Sequence, residues 1–227
     1  MLKDFIALIF PHVCVSCGKS LYKNEHSICT YCAYYLPKTN FHLDNDNPIA
    51  KIFWGRVPIF SAAAFYGFNK GGKVQHLIHQ LKYKGQKHIG TSVGKLYGYE
   101  LKFCDDFNSV DAIIPVPLHP KRQKKRGYNQ SDYFAEGLAE SMNVKADLTT
   151  LYRAAESDTQ TKKSRFKRWQ NVESIFQLRD AGQLAGKHIL LVDDVITTGA
   201  TLEACAHTLL QVPGVKVSIV TMAYAAL

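Results

Sequence analysis

Four consecutive apolar residues, Ile189-Leu190-Leu191-Val192, run into two carboxylates, Asp193 and Asp194, and then into Val195-Ile196-Thr197-Thr198-Gly199-Ala200-Thr201. A short, bounded apolar run of this kind fits a strand buried on both faces of a parallel sheet. At the carboxyl end of Val192 the chain is expected to turn. The segment Thr197 to Thr201 supplies small side chains, several hydroxyls and a glycine that permits close backbone approach. Leu202 to Leu210 then reads as a helix, whose first amides would face a phosphate. The two carboxylates are acceptors, suited to the vicinal hydroxyls of a ribose or to a magnesium ion through its water shell. Phosphate at one end and diol at the other describe a ribose 5-phosphate. The plainer alternative is a surface Asp-Asp turn ahead of an ordinary helix.

A second apolar strand, Val110 to Leu118, ends in Pro115-Val116-Pro117 and meets Lys121, Arg122, Lys124, Lys125 and Arg126, read as a basic loop before Gly127-Tyr128-Asn129-Gln130. Ligands of open parallel sheets bind beyond the carboxyl ends of the strands, so this loop is placed beside Asp193. Arg and Lys there would compensate the negative charge that develops as pyrophosphate leaves a sugar. A merely solvated run of cations has the same composition.

Four of the six cysteines fall in two pairs, Cys14/Cys17 and Cys29/Cys32, each of C-x2-C spacing. Two such knuckles make a tetrahedral four-thiolate zinc site, closed and therefore structural. Two disulfides are the competing arrangement, at home in secreted proteins. Met1 to Phe10 carries Lys3 and Asp4 and leads directly to Pro11-His12, without the apolar core and cleavage site of an export signal. That favours zinc and a cytoplasmic protein. His12 and His26 lie near enough to be alternative ligands but are not needed. Cys104 and Cys205 sit in apolar helical patterns as small hydrophobes.

The thirteen residues Ile189 to Thr201 resemble the signature of type I phosphoribosyltransferases, which bind 5-phosphoribosyl 1-diphosphate (PRPP), at every position. Pro115-Val116-Pro117-Leu118 followed by Arg126-Gly127-Tyr128-Asn129-Gln130 looks like the competence protein F (ComF) family within that group. Ile78 to Gly85, with its Lys82-Tyr83 turn, and Gln160, Arg168, Asn171 and Phe176 are similar to the family at their own spacing, so the resemblance covers nearly the whole chain. It implies a Mg-dependent PRPP site. Asp193 and Asp194 would hold the ribose hydroxyls while charge develops at the anomeric carbon; Thr197, Thr198, Gly199, Ala200 and Thr201 would take the 5-phosphate, and Lys82, Arg122 and Arg126 the diphosphate. It also implies an N-terminal zinc ribbon on Cys14, Cys17, Cys29 and Cys32, and a link to the uptake of single-stranded DNA. Two functions follow: transfer of ribose 5-phosphate to an acceptor nitrogen with release of pyrophosphate, or a non-catalytic PRPP sensor or single-stranded-DNA adaptor. The acceptor and the oligomeric state are not written in the sequence.

The chain has 227 residues, enough for one medium domain and a small appendage, and carries 28 Lys and Arg against 19 Asp and Glu, a net charge of +9. Such an excess attracts a polyphosphate or a nucleic acid. No apolar run is long enough to span a bilayer. Residues 1–38 read as a short helix (Leu2 to Phe10) plus the cysteine module, 39–52 as a polar linker, and 53–227 as the phosphoribosyltransferase-like domain. Within the last, Ile59 to Tyr66 and Val215 to Ala223 suggest strands; Val74 to Leu81, Ile89 to Phe103 and Ser131 to Met142 suggest helices, the last capped by Asn129. Alternating strands and helices give an α/β parallel sheet flanked by helices. Arg153 to Phe176 interleaves cations with Phe166 and Trp169, fitting a lid over the site, a stacking surface for single-stranded bases, or a solvated helix face.

Overall fold

The computed structural model describes residues 11–154 and 175–225. The expected helix Leu2 to Phe10 and most of the cationic segment after Arg153, including Gln160, Phe166, Arg168, Trp169 and Asn171, lie outside them.

Five strands form the main sheet: β1 (Ser61–Gly67), β2 (Ala112–Pro115), β3 (Lys145–Ala146), β6 (His188–Ile196) and β7 (Lys216–Tyr224). Their order across the sheet is β1-β7-β6-β2-β3 and every pairing is parallel. A short antiparallel pair, β4 (Leu151–Arg153) and β5 (Phe176–Leu178), stands apart. The helices are α1 (Thr30–Tyr35), α2 (Pro48–Phe53), α3 (Lys73–Tyr83), α4 (His88–Leu101), α5 (Asp105–Asn108), α6 (Pro120–Arg126), α7 (Gln130–Met142) and α8 (Ala200–Leu210).

The sheet is covered on both faces, which explains why its central strand is apolar without alternation. Leu190 and Val192 join a core with residues of α3, α4 and α7, whereas Ile189 and Leu191 join a second core with α2 and α8. On the first face α4 and α7 pack backbone to backbone. Gly94 and Gly137 make this possible, since a Cβ at Gly94 would lie 2.4 Å from the Phe134 carbonyl oxygen and one at Gly137 would lie 2.2 Å from that of Thr91.

Several sequence expectations change. β6 does not turn at Val192: Asp193, Val195 and Ile196 stay in register with Thr221, Ala223 and Tyr224 of β7, so the two carboxylates belong to the strand end. The basic loop is the helix α6, started by His119, whose Nδ1 accepts from the Lys121 amide, and by Pro120, and closed at Gly127 with φ 80°. Lys124, Lys125 and Arg126 fill its last turn, where the helix dipole favours cations. Asn129 flanks α7, but its amide nitrogen donates to Val116 O and Asp132 Oδ1 instead of capping the helix through its oxygen. Cys104 precedes α5 and is half-buried, while Cys205 is buried in α8.

The stretch 39–52, read as a linker, is packed. Asn47 is buried; its Nδ2 donates to Phe41 O, Asp44 O and Ala62 O, and its Oδ1 accepts from the Ile49 and Ala50 amides. One asparagine thereby satisfies a turn, a strand edge and a helix N-terminus together, and Ile49 and Phe53 of α2 go fully into the core. Among the described residues no helix is long and apolar enough to cross a membrane.

Candidate functional site

β2 lies between β3, which follows it in the chain, and β6, which comes later, so the connections diverge at the β2/β6 carboxyl ends. Such a divergence opens a crevice beyond the strand ends. A cleft of ≈ 310 Å³ occupies it, lined from β6 by Asp193 and Asp194, from α3 by Lys82, from α6 by Arg122 and Arg126, and from α7 by Gln130 and Ser131. Thr197 and Thr201 line it too and continue into an adjoining hollow of ≈ 60 Å³ formed by Thr197, Thr198, Gly199, Ala200 and Thr201 with Asp193. All ten residues expected to hold a sugar phosphate therefore line these two connected hollows.

Asp194 is buried and forms an ion pair with Lys82, Nζ to Oδ1 2.8 Å. Asp193 Oδ1 accepts from Ser131 Oγ at 2.8 Å and from the Asp194 amide at 2.8 Å. Burial, and next the repulsion of Asp194, push the Asp193 carboxyl above the usual carboxylate range; Ser131, the Asp194 amide and Lys82 oppose the shift without cancelling it. Arg126 is fixed by Gln130, its Nη1 donating to Oε1 at 2.6 Å, and its guanidinium stacks 5.3 Å from the Tyr83 ring centre. Asp132, beside Ser131, is raised to about 6 by burial, against the hydrogen bond from Asn129.

At the other end, Gly199 precedes α8 with φ 74°, a left-handed turn that L side chains rarely adopt, and α8 carries no side-chain cap. Free amides at this N-terminus suit an anion.

Sequence reasoning missed Ser131, Arg153, His119, Asn129 and Gln130 as cleft residues. Asn129 and Gln130 stood in a quoted motif, Asn129 only as a helix cap and Gln130 without a role, and Ser131 is the next residue. Nothing near Arg153, on β4, signals that it turns toward β6.

A second centre lies in the N-terminal module. The sulfur atoms of Cys14, Cys17, Cys29 and Cys32 lie within 4.8 Å of one another, with Cys17 and Cys29 3.7 Å apart. A tetrahedron with Zn–S of about 2.3 Å has edges of about 3.8 Å, so the donor set fits zinc. All four are free thiols, against the disulfide alternative. Amides of Cys29 and Cys32 donate to Cys14 Sγ and Cys29 Sγ at 3.3 and 3.4 Å, as knuckle turns do around thiolates. Cys14, Ile28, Cys32 and Leu36 share one core with Phe65 and Tyr66 of β1, docking the module on the sheet.

Residues 129–226 match the model of the phosphoribosyl transferase domain. The chain is 29% identical to the DNA utilization protein YhgH of Escherichia coli K12 over 203 residues, covering 88% of this chain and 84% of that one. It is 32% identical to competence protein F of Haemophilus influenzae over 59% of this chain and 60% of that one. Competence protein ComFC of Bacillus subtilis is 24% identical over 89% of this chain and 73% of its own length. With a parallel sheet flanked by helices and a four-cysteine cluster, the chain carries a region similar to the phosphoribosyl transferase domain and resembles the YhgH and competence F proteins.

Proposed function

We propose that the cleft binds Mg-PRPP and transfers its 5-phosphoribosyl group to an acceptor nitrogen. The observation that carries this reading is the placement of Asp193 and Asp194 between an uncapped helix N-terminus and the cations of α3 and α6. The 5-phosphate would lie on Thr197 to Thr201, the ribose hydroxyls on the two carboxylates, and the diphosphate on Lys82, Arg122 and Arg126. The acceptor nitrogen forms its bond to the anomeric carbon as the C–O bond to pyrophosphate breaks, with inversion. The departing oxygen takes the electron pair, and the cations stabilise it. The oxygen donors of Asp193 and Asp194 suit magnesium through water, and the ion would supply neutralisation of the diphosphate. Zinc on the four cysteines would fold the module and take no part in the reaction.

Calorimetric titration of the zinc-loaded protein with Mg-PRPP, beside Asp193→Asn/Asp194→Asn, tests the reading. Binding by wild type and its loss in the variant support it, while folded wild type that does not bind overturns it. Pyrophosphate release with an acceptor then distinguishes an enzyme from a sensor.

One observation favours a second reading, a single-stranded-DNA adaptor. Tyr31, Tyr34 and Tyr35 of α1 are exposed in mutual contact at 4.5 and 4.9 Å, with Lys19 and Lys73 5.6 and 5.8 Å from the Tyr31 ring. Exposed aromatic rings among cations suit unpaired bases. Salt-dependent binding of an oligonucleotide without turnover would favour it.

A further inference from the structure

We infer that Arg56, from the segment that precedes β1, is a positioning residue for the phosphate-accepting loop; the inference rests on reading the cleft as a PRPP site. Arg56 Nη1 donates to Ile52 O at 3.0 Å and to Thr198 O at 3.1 Å, and Nη2 pairs with the carboxylate of Glu203. Thus one guanidinium ties α2, the loop and the first turn of α8 together.

The consequence follows from the geometry of the peptide unit. The Thr198 carbonyl and the Gly199 amide belong to one planar trans unit, so they point in opposite directions. Holding the carbonyl on Arg56 aims the Gly199 N–H away from Arg56. The hollow bounded by Thr197 to Leu202 has neither Arg56 nor Ile52 in its lining, so the guanidinium holds the loop from outside the hollow. A carbonyl facing a bound phosphate would repel it; Arg56 keeps that oxygen turned away.

Glu203 gives a second reason. It lies in the first turn of the helix whose N-terminus would meet the anion, where an unbalanced carboxylate would oppose a phosphate dianion. Arg56 neutralises it from the far side of the loop. The planar fork of arginine makes these contacts at once, and a lysine ammonium does not reproduce them. Gly199 presses on the same support: a Cβ there would come within 2.7 Å of Ile52 Cγ2 and 3.2 Å of the Phe53 ring. The loop is therefore backed directly by α2, with no space for it to relax in that direction.

The test compares wild type, Arg56→Ala and Arg56→Lys by calorimetry with ribose 5-phosphate, Mg-PRPP and Mg-pyrophosphate, each in turn. Arg56→Ala should weaken ribose 5-phosphate and PRPP about tenfold or more while leaving pyrophosphate within about twofold, and Arg56→Lys should fall between. Equal losses for all three ligands, with a lowered melting temperature, would make Arg56 a general structural residue and overturn the inference. So would unchanged ribose 5-phosphate affinity. Hydrogen exchange of residues 198–202 in the ligand-free proteins separates this from the reading of the site. Faster exchange in Arg56→Ala supports the brace even if wild type binds no PRPP, and in that case only the function falls. Unchanged exchange overturns the brace whatever the ligands do.

Discussion

Gly94→Ala should destabilise the protein despite improving the helix propensity of α4. A Cβ at this position would stand 2.4 Å from Phe134 O, 2.8 Å from Leu138 N and 2.9 Å from Gly137 Cα, all backbone atoms of α7 that no rotamer change can move. The two helices must separate, and overpacking of this kind costs up to about 3 kcal/mol. Replacing a mid-helix glycine by alanine returns about 1 kcal/mol, which leaves a net loss of about 2 kcal/mol. For a chain of this size that lowers the melting temperature by about 4–8 °C. The control is Gly182→Ala, where a Cβ meets nothing within 4 Å and φ is not positive, so the melting temperature should hold or rise slightly. Urea denaturation and thermal melts followed by circular dichroism give both values. Equal stability of the two variants would refute the close approach of α4 and α7. Because α7 begins with Gln130 and Ser131, Gly94→Ala should also disturb the hydrogen bond to Asp193, and PRPP affinity should fall with stability.

Two other outcomes follow from the site and the module. Asp193 has a raised proton affinity in the folded state, so its contribution to stability is present at low pH and declines as pH rises and the buried carboxyl ionises. Binding of Mg-PRPP, which needs the carboxylate, should strengthen over the same rise from the ordinary carboxylate range toward neutrality. Ser131→Ala removes a hydrogen bond that favours the ionised form and should move that profile to higher pH; a profile identical to wild type in titrations across pH would refute the assignment. Metal analysis should find one zinc per chain, absent in Cys29→Ser. Structural zinc contributes about 10–16 kcal/mol of folding free energy in comparable peptides, so its removal should melt the module and weaken the core it shares with Phe65 and Tyr66. A full-length melt indifferent to chelation would count against that coupling.

The sequence made some elements plain and hid others for physical reasons. β6 was readable because a strand covered on both faces has to be apolar throughout, and the acids and small residues after it are contiguous. α6 was not, because none of its residues is buried; a helix without an apolar face has no hydrophobic period. Only its ends, His119-Pro120 and Gly127, marked it. The stretch 39–52 looked like a linker because its Asn and Asp content was counted as solvated, whereas Asn47 places its polar atoms on backbone groups inside the fold. Local motifs supplied the acids and the Thr197–Thr201 loop of the candidate site. Ser131 meets Asp193 from 62 residues away, a contact no periodicity encodes.

The ion pair between Lys82 and Asp194 bears on how such a cleft would receive a diphosphate. An ammonium has three donors, and Asp194 Oδ1 is the acceptor it meets here, so directions remain for phosphate oxygens. A free lysine loses up to about 2 kcal/mol of side-chain entropy when it is fixed; Lys82 is already ordered by the carboxylate, so a ligand would not incur that loss. Gln130 and the Tyr83 ring do the same for Arg126. Lys82 and Arg126 are therefore set in advance by neighbours that leave them able to donate further. Lys82 and Arg56 both precede the region 129–226 that matches the phosphoribosyl transferase domain. That region carries the acids and the loop, but the cation facing Asp194 and the support behind Thr198 come from the preceding half of the chain. The matched region alone would hold Asp194 without its counter-charge and the loop without its backing, so the proposed site needs both halves.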